Sequence, residues 1–287
     1  MNRKKITALA LTAAISAAVL AGCGSSAASS AAPAADSAAA SATTDTAASA
    51  DLLSQIRERG TITVAMEGTW APWTYHDEND NLVGYDVEVA TEIAKKLGVE
   101  PQFVEGEWDG LLAGLDAGRY DIMVNGVDIT PERAEKYDFS TPYAFNRTAV
   151  ITKADDDSIN TLEDLKGKKT ANTISSTYAE LAEQYGATVT GVDDLNQTFE
   201  LLLSGRIDAT LNAEMTFYDY TKEHPDANVK IAVLTDDANR IAIPMRKGDE
   251  TAALRTAIDA AIDELRTDGT LKALSEKYFG RDISTEE

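Results

Sequence analysis

The spacing of apolar and polar positions changes along the chain, and each change marks a part. Ile6 to Val19 is an apolar, alanine-rich run behind Asn2-Arg3-Lys4-Lys5. Gly24 to Ala50 is nearly all Ala, Ser and Thr and has no apolar face, which predicts a disordered tether. The folded part begins near Leu52. Thr61-Ile62-Thr63-Val64-Ala65 alternates as a strand. Trp73 to His76 and Leu82 to Tyr85 read as a hairpin around the polar Asp77-Glu78-Asn79-Asp80-Asn81. Asp86 reads as the cap of a helix with Val87, Ala90, Ile93, Ala94 and Leu97 on one face and Gly98 past its end. Pro101 to Glu105 reads as a strand, Trp108 to Ala117 as a helix and Asp121 to Val124 as a strand. This alternation predicts an α/β lobe with a largely parallel sheet.

A second lobe follows. Its predicted strands are Thr148 to Lys153, Lys169 to Thr173, Thr188 to Gly191, Asp208 to Asn212 and Val229 to Leu234. Its predicted helices are the short Thr161 to Leu165, then Tyr178 to Tyr185, Leu195 to Leu203 and Met215 to Glu223. Ile241 to Met245 reads as a strand that returns the chain. Two amphipathic helices, Ala252 to Arg266 and Leu271 to Phe279, close it, with a break at Asp268-Gly269.

Composition narrows the function. The 287 residues suffice for one large or two medium domains, and the net charge of −22 offers no basic stripe for nucleic acid. Most of those carboxylates are read as a solvated surface. One cysteine, Cys23, excludes an intramolecular disulfide. His76 and His224 lack metal-ligand spacing. Asp77-x-Asn79-x-Asn81 with Glu88 at the twelfth place mimics a calcium loop, but Leu82 stands where the sharp turn needs glycine, so a hairpin is read there. Phosphate loops, nucleophile motifs and paired-cysteine motifs are missing from the sequence, so no cofactor or metal is called for.

The chemistry concentrates in Asp121 to Tyr143. A short apolar strand breaks at Asn125-Gly126, a pair suited to a turn and to close backbone approach. Asp128 follows, then Thr130 as a helix N-cap, Pro131 in the first helical position, and Arg133 within the first turn. Arg133 offers a planar fork that matches a carboxylate at two points. Asp128, five residues earlier, is placed to face an ammonium, and an amino acid carries both charges on one carbon. Local sequence also allows a capped surface helix with a solvated arginine.

A resemblance joins these pieces. From Leu52 to Arg281 the chain resembles the periplasmic-type, cluster 3 substrate-binding proteins of amino-acid ABC importers. It does so through Gly60-Thr61-Ile62-Thr63-Val64, Trp70-Ala71-Pro72-Trp73, Leu82-Val83-Gly84-Tyr85-Asp86-Val87-Glu88, Trp108-Asp109-Gly110-Leu111, Ile129-Thr130-Pro131-Glu132-Arg133 and Asp138-Phe139-Ser140-Thr141-Pro142-Tyr143. Leu162-Glu163-Asp164-Leu165-Lys166-Gly167-Lys168-Lys169, Gly205-Arg206-Ile207-Asp208-Ala209 and Asp268-Gly269-Thr270-Leu271 continue the series. Leu20-Ala21-Gly22-Cys23 resembles the lipobox of bacterial lipoproteins. The resemblance implies a signal peptide over 1–22, a lipidated Cys23 and a tether over 23–50 with a root-mean-square reach of roughly 30 Å. It implies the two-lobed periplasmic binding protein type II fold, α/β in class. Lobe one would take 51–146 and 241–287, and lobe two 147–240, joined by crossover strands near Asn146 to Lys153 and Ala238 to Arg246. Such a protein is held on the outer face of the cell membrane and acts as a monomer that delivers an amino acid to an ABC permease.

The resemblance also implies site roles. Trp70 stacks on the ligand side chain, Glu67 reads it, and Trp108 forms a second wall. Asn125, Gly126 and Asp128 supply backbone and polar contacts. Arg133 clamps the α-carboxylate, and Ser176 and Thr177 donate to it. There is one departure: Ala213 stands where relatives usually carry the aspartate for the α-ammonium. The anion has then moved to Asp128 or to Glu214, or the ligand lacks an ordinary ammonium. Two tryptophans among acids suggest a polar, cystine-like or cationic side chain. The alternative function is an extracellular, dehydratase-like enzyme on the same fold that uses the cleft carboxylates Glu67, Asp128 and Glu214.

Overall fold

A computed structural model of the protein describes residues 51–286. The signal segment, Cys23 and the tether lie outside the described residues. The first lobe opens with α1 (Leu52–Arg59), β1 (Thr61–Met66), β2 (Thr69–Trp70), β3 (Thr74–His76), β4 (Leu82–Val83) and α2 (Tyr85–Leu97). It continues with β5 (Glu100–Glu105), α3 (Trp108–Asp116), β6 (Ile122–Met123), α4 (Pro131–Lys136), β7 (Tyr137–Phe139) and β8 (Ala144–Asn146). The second lobe holds β9 (Thr148–Lys153), β10 (Lys169–Asn172), α5 (Thr177–Gln184), β11 (Thr188–Gly191), α6 (Leu195–Leu203), β12 (Thr210–Ala213), α7 (Glu214–Glu223) and β13 (Val229–Leu234). β14 (Asn239–Ile241) and β15 (Pro244–Arg246) return the chain to α8 (Asp249–Thr267) and α9 (Thr270–Phe279).

In the first lobe β1 lies between β5 and β6, parallel to both, with Val64 opposite Phe103 on one side and Ile122 on the other. Central placement satisfies its backbone groups on both edges, which suits its apolar residues Ile62, Val64, Ala65 and Met66, all buried. The second lobe departs from the parallel pattern. β10 and β11 are parallel, but β9 takes antiparallel partners on both sides, β12 and β13. The cause is the crossing. β9 runs away from the crossover and β13 runs back to it, so the two must oppose. The crossover itself is an antiparallel pair, β8 with β14, with Asn146 opposite Asn239. The predicted return strand Ile241 to Met245 is in fact two short strands, β14 and β15, with different partners.

The hairpin is present, with Tyr75 opposite Val83. Asp77 Oδ1 accepts the N–H groups of Asn79 and Asn81 at 2.8 and 2.9 Å, so that carboxylate shapes the loop. Asp86, expected as a cap, instead lies inside α2 and is fully buried. Gly84 holds the cap position with φ +136°, where a Cβ would lie 2.2 Å from the Trp73 carbonyl oxygen. Glycine is therefore required there, and Asp86 turns inward to accept the Tyr143 hydroxyl at 2.8 Å. Burial raises the Asp86 carboxyl to about 7, and the Tyr143 hydroxyl and the Gly126 N–H offset this only in part.

That shift predicts a pH dependence. The unfolded carboxyl titrates near its usual value of about 3.9. The folded one holds its proton longer, so its contribution to stability is full below about pH 4, fades as pH rises to about 7, and is constant above. Replacing Asp86→Asn removes this titration. Melting temperatures measured from pH 4 to 8 are expected to fall less steeply for the variant than for the wild type. Equal slopes would locate the titration elsewhere.

Candidate functional site

The carboxyl ends of β1 and β6 carry the first-lobe residues of a cleft, the position where open α/β sheets hold ligands. Glu67 follows β1, and Asn125 to Asp128 follow β6. The ends of β10, β11 and β12 face them from the second lobe. The cavity between measures about 650 Å³, open mouth included. Glu67, Trp70, Trp108, Gly126, Asp128 and Arg133 line it from one lobe, and Ser176, Thr177, Asp193 and Asn212 from the other.

Local chemistry places each group. Thr130 accepts the Arg133 N–H at 3.1 Å and Pro131 opens α4, as expected. The Arg133 guanidinium is buried, 5.1 Å above the Trp108 ring, a cation–π arrangement. Its Nη1 donates to the Asp128 carbonyl at 3.3 Å, and its Nη2 to the Ser175 carbonyl of the second lobe at 3.2 Å. Asp128 lies opposite Ile241 of the returning strand, fixed there by the main-chain bonds of its two neighbours. Ile129 N–H donates to Arg240, and Ala242 N–H to Val127. Its carboxylate is 5% exposed as a residue; Oδ2 accepts the Thr177 hydroxyl, while Oδ1 has no partner. Burial raises this carboxyl to about 6, with Thr177 and Arg133 pulling it partly back.

Trp70 stacks on Trp73 at 5.4 Å, and its Nε1 donates across the cleft to Asn212 Oδ1 at 3.2 Å. Trp73 is core. Gly126 approaches Trp70 so closely that a Cβ would lie 2.6 Å from the ring, and its φ is +56°. Glu67 is raised to about 7, first by burial and then by the nearby Asp193, against the Asn125 hydrogen bond.

Some expected residues have other duties. Asn125 does not line the cavity. Its carboxamide accepts the Glu67 N–H at 2.8 Å and donates to the Glu67 carboxylate at 2.7 Å, so it positions Glu67. Ser176 caps α5, donating to the Thr173 carbonyl at 2.6 Å and accepting the Ala179 N–H at 3.2 Å. The Thr177 hydroxyl is already given to Asp128. Glu214 lies outside the cavity at the start of α7, where Arg147 meets it at 3.3 Å and Arg281 at 3.5 Å. A carboxylate held between two guanidinium groups is not available to a ligand in this cleft. Asn212 and Asp193 were not expected as lining residues. The signals for them were weak: a polar residue at a strand end, and an acid pair before a helix.

Residues 62–281 match the model of the bacterial extracellular solute-binding proteins, family 3. The chain is 41% identical over 241 residues to the L-cystine-binding protein TcyA of Bacillus subtilis, covering 84% of this chain and 89% of that protein. It is 39% identical over 236 residues to a probable amino-acid ABC transporter-binding protein of Haemophilus influenzae, covering 82% and 91%. Among solved structures, an ancestral arginine-binding protein bound to arginine superposes with a TM-score of 0.72 at 38% identity, covering 77% of this chain and 99% of that one. Each of these three is named as a binding protein, none as an enzyme.

The Gly126 geometry gives a direct test of the Trp70 wall. Gly126→Ala puts a methyl group into the space of the ring and forces a residue with a side chain to φ +56°. The expected cost is about 1–3 kcal/mol of stability. A shifted tryptophan emission should accompany it, because the Trp70 ring must move. Unchanged melting and emission would mean that the ring and the glycine are not in contact.

Proposed function

Because the chain belongs to the bacterial extracellular solute-binding proteins, family 3, we propose that its cleft captures an amino acid and presents it to the permease of an ABC importer. The observation that carries this is the pairing of opposite charges in one loop. Arg133 is buried and held flat against Trp108, and Asp128, five residues earlier, keeps one buried oxygen without a partner. The guanidinium matches an α-carboxylate, together with N–H groups at the start of α5. The free Asp128 oxygen matches an α-ammonium, in the role that Ala213 cannot fill. Trp70 and Trp108 flank the side chain, and Glu67 with Asp193 reads its far end. Those acids suit a cationic side chain or the second ammonium of a cystine-like ligand, in line with the names of the arginine-binding and cystine-binding relatives. The protein works as a monomer on the outer face of the cell membrane, tethered through a lipidated Cys23; in a Gram-negative host that face is periplasmic.

Native mass spectrometry of protein purified without ligand exchange, followed by calorimetry with the proteinogenic amino acids and cystine, tests this. An adduct of amino-acid mass and saturable binding are expected. Binding of none of them overturns the proposal.

Two variants assign the charges. Asp128→Asn keeps the shape and removes the anion, and is expected to weaken amino-acid binding at least about tenfold, or about 1.4 kcal/mol. Glu214→Gln is expected to leave affinity unchanged, because that carboxylate is held by Arg147 and Arg281. The opposite ranking transfers the role to Glu214. The pH dependence follows in sign. Asp128 in the free protein titrates at about 6, and an ammonium partner favours its ionised form, so binding below that pH releases a proton. Affinity therefore rises as pH rises through about 6 and then levels. Asp128→Asn should lose that rise; any increase it retains near pH 7 belongs to Glu67. Arg133→Ala leaves a carboxylate without its clamp and is expected to cost about 2–5 kcal/mol of binding.

A further inference from the structure

We infer that Ser175 and Asp109 form a clasp across the cleft mouth that slows ligand release without touching the ligand; this rests on the binding reading above. Ser175 is a non-glycine residue with φ +62°. A side chain in the left-handed region is disfavoured, and serine gains less there than asparagine or aspartate. Glycine would hold the same backbone without strain. The side chain that is present does one thing that glycine cannot: its hydroxyl donates to Asp109 Oδ1, in the first turn of α3 on the opposite lobe. Its carbonyl meanwhile accepts Nη2 of Arg133 from α4. One second-lobe residue is thus held from two first-lobe elements. Asp109 also follows Trp108, whose ring carries the Arg133 guanidinium, so the contacts close a ring around that corner. Neither Asp109 nor Ser175 lines the cavity.

The kinetic consequence follows from the geometry. The two residues sit on different lobes, so their bond exists only when the lobes are together. It lowers the closed state relative to the open one, and ligand leaves from the open one. Association begins from the open state and is not affected. The left-handed turn at Ser175 is local to its own loop, and Asp109→Ala tests the bond without altering that turn. For a solvent-exposed hydrogen bond to a carboxylate, the expected effect is about three- to tenfold on dissociation.

Stopped-flow tryptophan fluorescence on the full chain, with L-arginine and L-cystine as probes, tests the clasp. Ser175→Gly removes the hydroxyl and keeps the carbonyl for Arg133. Asp109→Ala removes the acceptor. Each is expected to speed dissociation about three- to tenfold with little change in the association rate, and the double variant should be no faster than the faster single. If Ser175→Gly releases ligand at or below the wild-type rate, or if the two effects simply add, the clasp is overturned and Ser175 is only a turn residue. If the wild type binds neither probe, the side-chain reading fails, and a double-variant cycle on the dissociation rate of the amino acid identified by native mass spectrometry decides the clasp. Coupling between the two positions supports it, and additive effects overturn it.

Discussion

A guanidinium taken out of water needs acceptors, and at Arg133 they come from both lobes. The idealised cost of moving such a cation into a low-dielectric interior is of order 20 kcal/mol, and several kcal/mol remain after relaxation. The Asp128 carbonyl, the Ser175 carbonyl and the face of Trp108 together replace the lost water. Parting the lobes takes away the Ser175 share and returns that side of the cation to solvent. Closure is therefore a balance between exposed charge and paired charge, with Arg133 at the pivot of that balance. Asp128 sits on the same side of it. One of its oxygens is bonded across the gap to Thr177, and the other is buried without a partner.

The backbone decides which lobe carries the charges. Main-chain bonds tie Val127 and Ile129 to the returning strand, next to the pairing of β8 with β14. Asp128 and Arg133 therefore move with the first lobe. Thr177, Ser175 and Asn212 belong to the second; Thr177 and Asn212 each touch a first-lobe side chain through one hydrogen bond, and Ser175 touches two, Arg133 and Asp109. Such bonds contribute about 1 kcal/mol each net of water, so no one of them locks the cleft. On the proposed function the first lobe is a preformed reader of charge, and the second is a cover held by several weak contacts. Ala213 and Met215 add apolar burial against the first-lobe core, which gives the cover a footing beside the crossover.

Where the fold could be read from sequence, the determining chemistry was local. Thr130, Pro131 and Arg133 lie within four positions, and cap geometry alone places them. The alternation in Thr61 to Ala65 required only a period of two. Asp86 misled because its place before an apolar helical face is what a cap looks like, whereas the true constraint is the carbonyl of Trp73 pressing on Gly84. Glu214 misled because Arg147 and Arg281, the groups that claim it, are far away along the chain. Asn125 was expected at the ligand, but the ends of β1 and β6 bring it to Glu67 first. Ser175 has no local signature at all; neither its left-handed backbone nor its partner Asp109 on the other lobe is written in the residues around it. The legible residues answer to neighbours in sequence, and the others answer to neighbours in space.

The acids around the cleft make a last physical point. Glu67 and Asp128 are both desolvated, and both are held above the ordinary carboxylate range. Asp193 pushes Glu67 further up, and Glu180 does the same for Asp128. Near neutrality such a cleft is poised: its acids are partly protonated while no cation is near. An incoming cation lowers their affinity for protons and so recruits the charge that it binds to. On the proposed function a neutral side chain gains no such partner and leaves Glu67 partly protonated, while an anionic one meets groups of its own sign in a place that water cannot screen well. Discrimination by charge then costs the free protein little, because the repulsion among the acids is relieved by protons until a cation replaces them. On the same proposal release is easier at lower pH, where protons compete with the cation for the same oxygens.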